Sequence, residues 1–148
     1  MTGLRHFILV CDKVTILHSL KEGKWGVMKN NESRLENIEL GDILFIYVKG
    51  TSALGKGCIC GPFVTSKIST EPSEGFYFER GYSKVIEFNQ SIETSFISLK
   101  RIRHEIEFIK NKSRWGMTFM GRAIIEIKQD DSSTITSEIG INGFPIRM

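Results

Sequence analysis

With 148 residues, 41% of them hydrophobic and 25% charged, the chain has the dimensions of one globular domain able to bury a core. Its net charge of +3 is too small to declare a nucleic-acid partner by itself. No apolar run approaches the ~20 residues of a membrane-spanning helix, and MTGLRHFILVCD offers neither a long apolar h-region nor a small-residue cleavage site, so the expected setting is cytoplasmic, away from a membrane.

In chain order, RHFILVC (5–11) is an apolar run too short for an independent helix and reads as a buried first strand. Asp12 can cap a helix over VTILHSLKEG, with Val14, Leu17 and Leu20 on one face and Gly23 at its end, where a left-handed cap wants glycine. KWGVMKN follows a turn; the polar Asn30–Arg34 stretch comes next, and Leu35 with Ile38 predicts a single helical turn. Gly41-Asp42 opens the strongest strand signal, DILFIYV, which is apolar on both faces and therefore covered on both. KGTSALGKG reads as a hairpin into a strand over 58–68, where Gly61-Pro62 predicts a bulge or an edge position.

STEPSEGFYFERG reads as a loop into the strand SKVIEF. Residues 95–109 have helical spacing, with Leu99, Ile102, Ile106 and Ile109 on one face. RAIIEI (122–127) is a last strand, after which Asp131 is placed to cap a short final helix. Strands dominate and two or three short helices interrupt them. A closed or partly open β-barrel manages such strand edges most economically.

Charge and ring placement say more than the totals. Lys100, Arg101, Arg103, Lys110, Lys112 and Arg114 face only Glu105 and Glu107 within their stretch, so the positive excess is local. This cluster reads either as a solvated face or as a phosphate-contacting surface. Aromatic rings stand beside cations three times: Trp25 with Lys24 and Lys29; Phe76 to Phe78 with Arg80, Tyr82 and Lys84; and Trp115 beside Arg114. Rings that stack on bases and cations that meet phosphate suit a nucleic acid, although core packing explains each ring separately.

Other chemistries find less support. His6, His18 and His104 are scattered, and Cys58-Ile59-Cys60 lacks a metal-knuckle spacing, so neither a metal nor a cofactor is expected. The three cysteines read as reduced, semi-buried strand residues. GTSALGKG lacks the phosphate-loop pattern and precedes a strand rather than a helix.

The succession FILVC, KWGV with Asn30 and Arg34, LENIELGDILFIYVKG, GCICGPFVTSKI and IEFIKNKSRWGMTFMGRAIIEI resembles the EVE domain, of the PUA-like superfamily related to YTH domains, in its small stand-alone prokaryotic form. The resemblance covers nearly the whole chain and implies a single domain over 1–148. Its fold would be α+β and mainly β: a PUA-like curved sheet or open β-barrel with short flanking helices. It also implies a cleft that accepts a modified base of DNA or RNA. Trp25, Gly26 and Val27 match its lining, Asn30 and Arg34 the polar positions after it, and Gly41-Asp42 the turn into the central strand. Where family members often have Tyr-Trp, this chain has His6-Phe7. Where they often have an arginine, it has Lys84, after Tyr82-Ser83, and lysine lacks the bidentate fork.

The resulting expectation is a non-catalytic module binding RNA or DNA. Trp25, with Phe7 or Tyr47, would stack on a modified base and Asn30 would bond its edge. Gly26, Val27, Tyr82 and Lys84 complete the cleft; Lys29, Arg34 and the basic stretch from Lys100 hold phosphate. Two alternatives stay open. One is a small nucleic-acid-modifying enzyme using Asp12, His18 or His6 as base. The other is a protein-interaction domain whose basic face meets an acidic partner.

Overall fold

The computed structural model describes residues 4–49, 57–89, 95–110, 119 and 122–145. Eight strands, β1 (His6–Cys11), β2 (Lys24–Val27), β3 (Ile43–Val48), β4 (Cys58–Thr70), β5 (Lys84–Phe88), β6 (Ser95–Ser98), β7 (Ile124–Ile127) and β8 (Phe144–Pro145), form one mixed sheet. Between them lie helices α1 (Lys13–Glu22), α2 (Glu32–Leu35), α3 (Gly75–Glu79), α4 (Leu99–Ile102) and α5 (Gln129–Asn142), with a 3-10 turn at Lys29–Asn31. The sheet order is β2-β5-β4-β3-β1-β7, and β6 pairs with β4 and β8. It curls into a half-barrel with short helices, mainly β, as the sequence leads one to expect.

Alternation along the central strands divides the core in two. Phe7, Leu9 and Cys11 of β1 join Leu44, Ile46 and Val48 of β3 in one cluster, with Ile16, Leu20, Trp25 and Ile86. Ile8, Val10, Phe45 and Tyr47 point the other way, into a cluster with Leu99, Ile102, Ile106, Ile109 and Ile135. Period two on a strand covered on both faces produces this split. Burying each such side chain contributes about 1.5–3 kcal/mol, so the six-residue β3 anchors both layers.

Register starts at a buried polar node. The Asp42 carboxylate accepts from the Arg5 amide at 3.2 Å and the Glu39 amide at 2.8 Å. Its carbonyl accepts from the Thr65 amide at 3.0 Å. One residue thus sets the start of β3 against both the approach to β1 and the middle of β4. Parallel pairing of β1 with β3, His6 with Ile43 through Cys11 with Val48, then brings Asp12 and Lys49 to the same end of the sheet.

Several predicted elements change. The Gly61-Pro62 irregularity is a bulge, not an edge: β4 keeps β3 beside it while its partner on the other side changes from β6 at Cys58–Cys60 to β5 at Thr65–Thr70. The segment 69–81 is not all loop, since it carries α3. Helical spacing over 95–109 gave the right burial for its four apolar residues, yet only Leu99–Ile102 is helix; β6 precedes it. The last helix runs 14 residues and Asp131 does not cap it, because its carboxylate accepts instead from the Glu107 and Phe108 amides at 2.8 and 3.0 Å. Most of the hairpin 49–57 lies outside the described residues.

The cysteines are buried rather than semi-buried: Cys11, Cys58 and Cys60 all sit in strands with free thiols. Burial pushes all three thiols up from their ordinary range, so they are neutral near pH 7. In a DTNB assay at about pH 8 the folded chain is expected to show no fast-reacting thiol and the denatured chain all three. One rapid equivalent in native buffer would contradict this packing.

Candidate nucleic-acid interface

The end of the sheet marked by Asp12 and Lys49 holds a cleft of about 160 Å³. Its walls come from the end of β1 (Val10, Cys11), the first turn of α1 (Asp12, Thr15), β2 and the residue after it (Trp25 to Met28), and three distant contributors, Lys49, Tyr82 and Ala123. Asn31 closes one side.

Local chemistry fixes each wall. Asp12 leaves β1 in an extended conformation, and its carboxylate accepts from the Thr15 amide at 2.8 Å, which starts α1. Gly23, at φ 68°, ends that helix in the left-handed region and lets the chain reverse into β2. Trp25 is paired with Ile86 across the edge of the sheet. Its indole N–H donates to the Val10 carbonyl at 3.3 Å and only 2% of the residue is exposed, so it is a wall of the cleft rather than an open stacking face. A Cβ on Gly26 would stand 2.9 Å from Tyr82 Cδ1 and 3.0 Å from Tyr77 Cδ1. The glycine therefore admits two tyrosine rings against β2. Tyr82 is held by a hydroxyl contact of 3.3 Å with Thr15. Tyr77 donates to the Lys24 carbonyl at 2.8 Å, which leaves Ser19 to donate to the Tyr77 oxygen at 2.8 Å.

Electrostatics separate the rim from the floor. Burial raises the Asp12 carboxyl, but hydrogen bonds from Thr15 and the charge of Arg80 outweigh it and hold the group below its ordinary value. It is the acid of the cleft wall. Lys49 is in the lining and Arg80 acts on Asp12 through its charge, while Lys13, Lys29 and Arg122 are exposed and adjoin the lining residues Asp12, Met28 and Ala123 in the chain. None of these five makes an ion pair among the described residues, whereas Arg5, Lys67, Lys84, Arg101 and Lys128 each meet a glutamate. Cations left unpaired around a concavity focus a positive potential there.

The sequence candidates fall into separate places. Trp25, Gly26, Val27 and Tyr82 line the cleft together. Asn31 does so instead of Asn30, which is exposed in the 3-10 turn, while Lys29 and Arg34 are exposed beside it. Phe7 does not reach the cleft: it is 1% exposed and four residues before Cys11, roughly 13 Å away along the strand. Tyr47 does not either, since alternation turns it to the other sheet face, where it stacks on Phe119 at 3.7 Å. Burial pushes its hydroxyl up to about 12. Lys84 is held by Glu71 at 3.7 Å.

Of the basic stretch, Lys100, Arg101 and Lys110 are exposed and Arg103 half-buried; Lys112, Arg114 and Trp115 lie outside the described residues. Arg101 is paired with Glu138 at 3.0 Å. The Leu99 amide bonds the Gly57 carbonyl at 2.9 Å, so α4 begins at the Lys49 end of the sheet, two strands away from it. Lys49, Thr15, Arg122 and Ala123 were missed from the sequence. The signal for them lay in strand pairing: Thr15 and Lys49 follow the parallel strands β1 and β3, and Arg122 and Ala123 precede β7, which runs antiparallel to β1, so that all four reach the same end of the sheet. Of the proposed bases only Asp12 is in the cleft; His6 is at the other end of β1, and His18 stacks on Phe76 outside it. Among the described residues no helix is long and apolar enough to cross a membrane, and no His, Cys, Asp or Glu cluster could hold a metal.

No family model matches the chain. The UPF0310 protein PH1033 of Pyrococcus horikoshii is 30% identical over 120 residues, covering 75% of this chain and 82% of that protein. The chain belongs to the UPF0310 family. Solved structures similar to this UPF0310 chain include YTH domains. That of Pho92 in complex with m6A has a TM-score of 0.66 at 15% identity, covering 99% of this chain and 91% of that one. That of the MRB1 protein of Zygosaccharomyces rouxii in complex with N6-methyladenosine RNA has 0.65 at 14% identity, covering 94% and 88%. At such identities the likeness shows the fold, a YTH-like half-barrel.

Asp12 supplies a check on this geometry. A carboxyl held low in the folded state adds stability above its ordinary value of 3.8 and loses it as pH falls through the folded value. Asp12→Ala is therefore expected to cost about 1 kcal/mol of unfolding free energy near pH 7. The difference from wild type should shrink as pH falls below the ordinary carboxyl value, as read by urea titration at pH 7 and at the lowest pH at which both proteins still fold.

Proposed function

We propose that the chain is a non-catalytic nucleic-acid-binding module of EVE type, which takes one modified base into the cleft beside Asp12 and holds the adjoining phosphates with the cations around it. The observation that carries this reading is a concavity lined by the rings of Trp25 and Tyr82 with Lys49 among its walls, Arg80 within electrostatic reach and three more exposed cations next to lining residues, none of them in an ion pair among the described residues. At about 160 Å³ the cleft is smaller than the roughly 300–1,000 Å³ of pockets for drug-sized ligands, so it matches a single ring system better than a whole nucleotide. Phosphate is attracted to the rim and repelled by the Asp12 carboxylate inside, which sorts base from backbone.

Base recognition falls to groups of opposite kind. Asp12 accepts from an exocyclic amine, while Lys49 and Asn31 donate to ring or carbonyl acceptors. Tyr82, half-buried, offers the accessible ring, and Trp25 supports it from the wall. A hydrophobic slot of this kind discriminates one methyl group by about 1–3 kcal/mol, so a mark is read modestly and without strict sequence preference. The YTH domains with the same fold, one in complex with m6A and one with N6-methyladenosine RNA, support the same direction.

Fluorescence anisotropy with single-stranded RNA and DNA, each with and without one modified base, tests this over a range of salt. Lys49→Ala and Arg122→Ala are each expected to weaken binding several-fold and lower the salt slope by about 1, for modified and unmodified strands alike. Tyr82→Ala should instead reduce the preference between modified and unmodified strands about tenfold or more. A salt slope unchanged by either cation variant would place the backbone elsewhere and contradict the reading.

A further inference from the structure

Outside the cleft, α1 and α3 carry two stacked rings, His18 and Phe76, that have no part in the proposed base site. The His18 ring lies on the Phe76 ring at 3.7 Å between centroids and 13° between planes. The Phe76 ring is 6.4 Å from that of Tyr82, tilted by 31°. The Arg80 guanidinium lies 5.4 Å from the centre of Phe76 and its charge reaches Asp12. Tyr82 and Asp12 both line the cleft. A row of rings, two of them nearly parallel, thus leads from the cleft wall to the surface, with a cation beside it.

The outer end of this row is open. The His18 side chain is 42% exposed. One turn before it, Val14 is 43% exposed, and Leu17 is 40% exposed. Those two residues belong to the apolar stripe that the sequence predicts for the buried face of α1. The helix instead buries Thr15, Ile16, Ser19 and Leu20, because Tyr77 and Tyr82 supply hydroxyl partners for Ser19 and Thr15. The consequence is an apolar, planar surface turned to solvent one side chain away from the cleft.

We propose that His18, Phe76 and Arg80 form a second stacking platform, for the base that flanks the one held in the cleft, so that the partner is a single strand and not a free nucleoside. This rests on the cleft being the base site. Stacking on an aromatic or imidazole face tolerates any base, because every base has a π-face. Arg80 meets the phosphate that joins the two nucleotides, and its planar fork suits that contact. Glu22 lies 3.6 Å from His18 Nδ1, at the edge of the imidazole ring.

The test uses the full chain with three probes at fixed salt: N6-methyladenosine as nucleoside, a trinucleotide with that base at its centre, and an unmodified single-stranded twelve-mer. His18→Leu keeps apolar contact with Phe76 and removes the planar face; Arg80→Gln removes the charge; thermal unfolding checks that both fold. The expected result is a trinucleotide bound about tenfold or more tightly than the nucleoside. His18→Leu should erase most of that gain and leave nucleoside affinity as it is, and Arg80→Gln should lower the trinucleotide salt slope by about 1. If the short probes do not bind, weaker retention of the twelve-mer by His18→Leu still supports the platform. Equal trinucleotide affinity for wild type and His18→Leu overturns the platform while leaving the cleft in place. If neither short probe binds and twelve-mer retention is the same in His18→Leu, Lys49→Ala and wild type, platform and cleft reading fall together.

Discussion

A single carboxylate organises the working end of this molecule. Asp12 terminates β1, caps α1 through the Thr15 amide and stands in the cleft wall. Without it the first helix would lack a partner for an orphan amide in its first turn, and the chain would lose the sharp change from strand to helix that opens the cleft. Its negative charge also gives the nearby cations their meaning, since Lys49 shares the cleft lining with it and the charge of Arg80 reaches it.

The position of that carboxylate follows from events at the opposite end of the strand. Asp42 ties the approach to β1, the start of β3 and the middle of β4 into one node. From there the parallel register runs without a break to Cys11 opposite Val48. Because each residue advances about 3.3 Å, an error of one residue at the node would turn every β1 side chain to the wrong layer. Folding energy spent in the two apolar layers thus becomes positional accuracy at Asp12 and Lys49.

What the sequence reveals of this depends on whether the partners are local. The α1 boundaries were legible because Asp12 and Gly23 act on their own neighbours, and β3 was legible because it is apolar on both faces. The buried face of α1 was not, because Thr15 and Ser19 are buried by hydroxyl partners 67 and 58 residues away. The helix α3 escaped notice for a similar reason: no side chain caps it, and it is held by Tyr77 in the core and by Phe76 on His18. At the site, the contiguous Trp25, Gly26 and Val27 could be read as one feature. Lys49, Tyr82 and Ala123 meet them only through strand order, and nothing along the chain distinguishes Asn31 from Asn30.

The tryptophan of KWGV illustrates how a residue can belong to a site without acting as its ligand surface. Its indole is closed over by the core and tied to Val10, and its contribution is to hold β2 and Gly26 where Tyr82 can pack. The most direct measurement is the amide spectrum of isotope-labelled protein titrated with single-stranded trinucleotides carrying a modified central base. The largest shifts are expected at Cys11 to Thr15, Trp25 to Met28, Lys49 and Tyr82, with α5 unmoved. Shifts confined to Lys100 to Lys110 and α5, with the cleft silent, would contradict it.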